Sequence, residues 1–284
     1  MTLAEKIQSK NKKLLPTTVL KYFSYFCIAC ALAALVFIVL FVFIGGAPHL
    51  TWGFIFDEYS AFNIALRGVL ITTLKTILMS LAIAVPVGVL CAIFLVEYTR
   101  RGSILVKIIK VALETLSGVP SIIFGLFGML IFVDLLGLGL SLWSGSLTLA
   151  LMILPTIVTT VEESIKAVPD IYREGSFGLG ATRLRTVFTI VIPNAIAGIL
   201  SAVILGTGRI ISESACVMFT SGNSMRTPMK FGDGGATLAV AMYLSASEGY
   251  LDEAYAIGCI LIILIVSINL ISTFIAKRFS KKAR

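Results

Sequence analysis

Residues 174–193 read EGSFGLGATRLRTVFTIVIP. A carboxylate opens the segment, glycines punctuate it, two arginines follow, and it runs into an apolar stretch that ends at a proline. Its surroundings are far greasier. Of 284 residues, 58% are hydrophobic and 13% are charged, and the mean hydropathy is +1.01. Soluble domains carry about 25% charged residues. The chain therefore reads as a membrane protein, in which a patterned polar segment needs a reason.

A hydrocarbon core about 30 Å thick is crossed by about 20 apolar residues at about 1.5 Å each. Runs of that kind predict six transmembrane helices, at 22–44, 68–96, 116–136, 146–165, 189–212 and 254–276. The expected fold class is an all-α polytopic membrane protein. The first run is too long for the apolar part of a signal peptide and lacks a small-x-small cleavage site, so it is expected to stay as an anchor. Lysines and arginines orient the spans. Of the 23, 18 lie before span one, between two and three, between four and five, or after six, whereas Arg67, Arg226 and Lys230 fall in the opposite loops. The positive-inside rule then puts both termini in the cytoplasm. The net charge of +8 reports this topology, and no basic stripe with interleaved aromatics points to nucleic acid.

Residue types narrow the chemistry. His49 is the single histidine, which excludes an H-E-x-x-H zinc site, and no Gly-Lys pair exists to build a nucleotide phosphate loop. Any ATP hydrolysis must come from a partner, and no metal or cofactor is expected. Cys27 and Cys30 are spaced C-x-x-C inside an apolar run, where thiolates are disfavoured. An intramembrane serine protease would need His49 and a G-x-S-x-G elbow, and the elbow is missing. An ion-coupled secondary transporter would show internal repeats and midplane carboxylates. No repeat relates the two halves, and acids within the spans are few.

The opening segment now falls in the cytoplasmic loop between spans four and five. Pro169-Asp170-Ile171-Tyr172 starts a short helix, with a proline and an acid near its N-terminus. Gly178 and Gly180 end or bend it, and Ala181 to Thr189 form a second helical piece leading to Ile190, Ile192 and Pro193. Two short helices with a glycine break make a knob suited to a cleft in another protein. From the residues alone, a solvated loop is an equal reading.

The spacing of Glu174, Gly180, Ile190, Ile192 and Pro193 resembles the E-A-A…G…I-x-L-P loop of ABC-transporter permeases, with Gly175 and Ser176 in place of the two alanines and Ile192 in place of leucine. The resemblance implies that this loop, about 166–189, is a coupling helix inserted into a separate ATPase, with Glu174, Gly175, Ser176, Gly180, Ala181 and Arg183 at the contact. Two further stretches resemble the phosphate-specific permeases of that family. These are SGVPSIIFGLFG, with Ser117, Gly118, Pro120, Ser121, Gly125 and Gly128, and GRIISESACVMFTSG at 208–222. Ser212, Ser214 and Cys216-Val217 depart from the usual pattern. The short chain before span two and the tail YLDEAYAIGCILIILIVSINL are closer to the A-type than to the C-type permease.

The resemblance implies the type I ABC importer permease fold and a C-type permease as second membrane subunit. It further implies two ATP-binding subunits on the cytoplasmic face and an extracellular or periplasmic phosphate-binding protein. The domain plan that follows is a basic segment 1–21, a first helix and outer loop 22–67, a permease domain 68–276 and a basic tail 277–284. Sulfate or molybdate is the alternative cargo.

Physics marks candidate pathway residues independently. Arg209 and Glu213 are spaced for one helix face at the edge of span five. A charge at bilayer centre costs about 2.5–3.5 kcal/mol on insertion scales, so such residues point to function. A structural ion pair or a snorkelling arginine is the other reading. As a pathway cation, Arg209 suits phosphate oxygens, with Glu213 orienting it. Lys75, flanked by Thr72, Thr73 and Thr76, is a second candidate cation, or a snorkelling lysine. After span five a polar loop, expected to be flexible, precedes an apolar stretch at Ala236–Ala246 too short to span.

Overall fold

The structure, a computed structural model, describes residues 3–59, 65–100 and 102–282. Parts of the expected basic ends (1–2 and 283–284) and Arg101 lie outside the described residues. Apolar runs become helices because the hydrocarbon leaves backbone N–H and C=O groups no other partners. Helix α1 runs Leu3–Gly46, and the short α2 runs Trp52–Phe56. α3 (Arg67–Ile93) continues through a wide turn of five residues to Tyr98. α4 is Ile104–Gly118, α5 is Ser121–Gly128 with a wide-turn extension to Leu135, and α6 is Leu142–Lys166. α7 (Asp170–Gly178) and α8 (Arg183–Thr186) follow; α8 runs through another wide turn into α9 (Ile192–Ser212). α10 (Ala215–Thr220), α11 (Leu238–Ser247) and α12 (Leu251–Lys282) complete the fold, and no strand occurs among the described residues.

Five stretches are long and apolar enough to cross a membrane: Thr18–His49, Arg67–Tyr98, Leu142–Lys166, Arg183–Ser212 and Leu251–Phe274. The third expected span is different. The sequence predicts a span over 116–136, and the structure breaks it near its start, where α4 and the α5 segment meet at 103°. Pro120 is the cause. It holds φ near −59°, lacks an N–H, and pushes Val119 into an extended conformation (φ −72°, ψ 129°). α4 is amphipathic, and the more apolar Ser121–Leu135 leaves it at this angle.

α6 is the central helix. In its most apolar stretch 67% is buried, against 0% for α1. Leu149, Ile153, Ile157, Val158 and Val161 of α6 meet Ala84 and Ala92 of α3 and Ala195, Ile199 and Ala202 of α9. Small residues permit this closeness, as is usual between membrane helices. A Cβ on Gly88 would sit 2.7 Å from Ile157, and one on Gly198 would overlap Ser164. Among the described residues, α1 packs mainly on the N-terminal part of α12. There Phe41 meets Tyr255 edge-on at 5.6 Å, and the Cys259 thiol donates to the Val42 carbonyl.

The loop between α10 and α11 is braced rather than flexible. Gly235 N–H donates to Ser221 O, Ala236 N–H to Ser224 O and Leu142 N–H to Asp233 O. Asp233 Oδ2 accepts the N–H groups of Met229 and Lys230 at 2.9 and 2.7 Å. Backbone at Met225–Thr227 packs on Gly68, which has no room for a side chain. The apolar stretch that follows forms α11, and Thr73 Oγ1 accepts the N–H of its first residue, Leu238, at 3.0 Å.

Candidate functional site

Arg209 lies in the last turn of α9, and its Nη1 donates to Thr156 Oγ1 of α6 at 3.4 Å. Thr156 follows Pro155, which has no N–H to give the carbonyl one turn back. α9 stops at Ser212, and Glu213 is extended (φ −80°, ψ 123°). The expectation that Arg209 and Glu213 share a helix face therefore fails, because that spacing pairs residues only while the helix runs through both. The Glu213 carboxylate lies near the Ser121 hydroxyl and feels the charge of Arg209 through space. Ser121 is the first residue of α5, directly after the Pro120 break.

These contacts bring one guanidinium, one carboxylate and two hydroxyls together where α5 starts, α9 ends and α6 carries its proline. Helices interrupted inside a membrane protein collect polar groups in this way around ionic substrates. An arginine with donor capacity left over beside a helix start suits an oxyanion.

The motif residues around it are mostly structural. Ser117 Oγ bonds to the Glu114 carbonyl at the end of α4, and Gly118 closes that helix. Gly125 lets the Cys216 backbone of α10 approach, a Cβ there falling 3.0 Å from its Cα, and Gly128 lies against Thr148 of α6. Pro193 opens α9 just after the wide turn Val187–Val191.

Lys75 is half-buried and does not join this group. Its Nζ donates to the Pro228 carbonyl at 2.9 Å and sits 5.7 Å from the Phe231 ring, so it holds the braced loop. Thr72 and Thr73 donate to the carbonyls of Gly68 and Val69 within α3.

α7 and α8 fold together as one knob. Gly180, at φ +80°, ends α7, the N–H of Ala181 returns to Ser176 O, and that of Gly180 to Phe177 O. Ser176 Oγ is 2.8 Å from Thr186 Oγ1, which ties α7 to α8. Thr182 caps α8 by accepting the Arg185 N–H. The second helical piece is not a separate short helix, since it runs on into α9. Glu174, Gly175 and Arg183 are exposed, as are Ile171, Tyr172, Leu179 and Leu184. Ala181 is half-buried.

The residue that anchors the knob was missed in the sequence. Arg173 donates to Glu97 from Nε and approaches it through Nη2, both at 2.9 Å. It also reaches the carbonyls of Val168 (2.6 Å) and Ile165 (2.9 Å) and the Asp170 carboxylate (3.0 Å). Both side chains of the main pair are nearly hidden, at 12% and 7% exposure. Lysine or arginine in a basic loop carries no local mark of such pairing. The one sequence signal was Glu97, an acid at the apolar end of span two.

Known proteins place these features. The profile of a family described as binding-protein-dependent transport system inner membrane component matches residues 84–284. The probable ABC transporter permease protein YqgI of Bacillus subtilis (strain 168) is 31% identical over 275 residues, 90% of this chain and 93% of that protein. The phosphate transport system permease protein PstA of Mycobacterium leprae (strain TN) is 35% identical over 192 residues, 66% of this chain and 62% of that one. A solved structure of the inward-facing MetNI methionine ABC transporter superposes with a TM-score of 0.58 at 21% identity, over 77% of this chain and 95% of that chain. That likeness shows the fold, an ABC importer permease of type I. Because the profile match covers most of the residues and the YqgI likeness nearly all of both proteins, the chain belongs to the binding-protein-dependent inner membrane components, the permeases of ABC transporters.

Proposed function

We propose that this chain is the A-type permease subunit of an ATP-driven importer of inorganic phosphate. It shares its pathway with a C-type permease, docks its α7–α8 knob on one of two ATP-binding subunits, and receives phosphate from an external binding protein. Both termini face the cytoplasm, in keeping with the crowding of basic residues at that end. Relatives named as phosphate permeases support the cargo. The single observation that carries the mechanism is Arg209, a guanidinium inside the bundle held by one long hydrogen bond to Thr156. It has donors to spare for phosphate oxygens. Glu213 limits how tightly an anion is held, because a transport site must also release. ATP-driven alternation between outward and inward states then moves the anion past this point.

The test is ATP-dependent uptake of labelled phosphate by the assembled complex, wild type against Arg209→Gln at matched abundance. Uptake should fall at least tenfold while the ATP-binding subunits still copurify. Undiminished uptake removes Arg209 from the pathway. A wild-type complex that carries labelled sulfate or molybdate but no phosphate overturns the cargo.

A further inference from the structure

Behind the knob lies a cavity of about 910 Å³. Two spans end at its wall. Leu95 and Val96 of α3 give way there to Glu97 and Tyr98, and α6 delivers Glu162 and Lys166. The cavity therefore sits at the level where apolar helices meet charge, the level of lipid headgroups. Its charges do not balance. Glu97 and Asp170 are taken up by Arg173. Glu162 is shared between Lys110, at 2.8 Å, and Lys166. Arg100 and Arg183 also line the cavity and meet no carboxylate among the described residues. Arg183 rests over the Tyr98 ring at 5.9 Å.

From α4, Val106 and Lys110 face the cavity, while Ile104, Ile108 and Val111 are exposed on the opposite side of that helix. Cations in a pocket at the end of the spans, next to the apolar Leu95, Val96 and Val106 of the same wall, match both halves of an anionic phospholipid.

We propose that this cavity binds the phosphate group of an anionic phospholipid through Arg100 and Arg183, with the apolar Leu95, Val96 and Val106 of its wall next to the acyl chains. The inner side of α7 lines the same cavity through Asp170, Arg173 and Phe177, whereas Ile171 and Leu179 point away from it. A bound lipid thus buttresses the knob from behind while its outer side stays free for a partner. The site is independent of the cargo and stands whether or not phosphate is transported.

The test uses the full chain in nanodiscs of phosphatidylcholine with graded phosphatidylglycerol, reading by native mass spectrometry the phosphatidylglycerol that stays bound. A surface arginine contributes to anionic-lipid attraction at a level that, for two, makes retention about 30-fold weaker in R100Q/R183Q. Arg100→Lys with Arg183→Lys keeps the charge but not the forked donors and should fall between. Arg185→Gln, exposed but outside the cavity, should match wild type. Both arginines are exposed, so folding is checked simply by an unchanged thermal midpoint in phosphatidylcholine alone. Equal retention by wild type and R100Q/R183Q overturns the proposal, as does an equal loss in Arg185→Gln. Displacement of the lipid by millimolar inorganic phosphate, with phosphate itself held in phosphatidylcholine discs, overturns the lipid in favour of a free anion.

Discussion

Replacing Arg173 by lysine keeps the charge at the root of the α7–α8 knob and removes the fork. The guanidinium serves Glu97, Asp170 and the carbonyls of Ile165 and Val168 at once, from 2.6 to 3.0 Å. One ammonium with three N–H groups on a longer stem cannot reach all of these acceptors. At least one buried carbonyl or one oxygen of Glu97 is left unpaired, and each such loss costs about 1–3 kcal/mol. A total of about 2–3 kcal/mol is expected for lysine. Alanine leaves Glu97 as an uncompensated hidden charge, for which about 3–5 kcal/mol is typical.

The cost falls on local opening of α7, so native-state hydrogen exchange is the assay. At 1.36 kcal/mol per factor of ten, Arg173→Lys should speed exchange of the α7 amides roughly 30- to 150-fold and leave α6 untouched near Ile153. Exchanging the charges by Glu97→Arg with Arg173→Glu should not rescue, since a carboxylate cannot donate to the two carbonyls. Exchange within threefold of wild type in Arg173→Lys would refute the reasoning, and so would full rescue by the charge exchange. In the assembled transporter, the loosened knob should lower uptake more than it lowers ATPase copurification.

Other perturbations probe the frame around the sites. Thr73→Val is nearly isosteric but orphans the buried Leu238 N–H, so the thermal midpoint should drop by the equivalent of about 1–3 kcal/mol; an unchanged midpoint would show that the cap contributes nothing. Lys75→Met cuts the bond to Pro228 and should make the 224–233 loop several-fold more sensitive to protease, whereas a pathway role alone would change uptake and leave cleavage as it was. Gly198→Ala drives a methyl into Ser164 and should cost about 1–3 kcal/mol by overpacking. Adding Ser164→Gly should recover part of that loss, and a midpoint indifferent to both changes would argue against close α6–α9 packing.

The class of protein, the position of five spans and the glycine-broken helical segment at 174–193 were all legible in the sequence, because each depends on local composition. Hydrocarbon demands a contiguous apolar run, and a left-handed helix end favours a glycine such as Gly180, so neither needs a distant partner. The bend before α5 was also local, since Val119-Pro120 announces an extended residue, but a smooth apolar run concealed it. Pairing was not legible. Glu213 looked like the partner of Arg209 until α9 ended at Ser212 and left its carboxylate facing Ser121. Arg173 and Glu97 are 76 residues apart, and no periodicity links them. Only the packing of α3 against α6 brings the end of one span beside the loop that leaves the other. Where each helix stops, and what its last polar groups then meet, was decided by the tertiary structure, because a charge taken out of water must find its partner wherever the packing puts one.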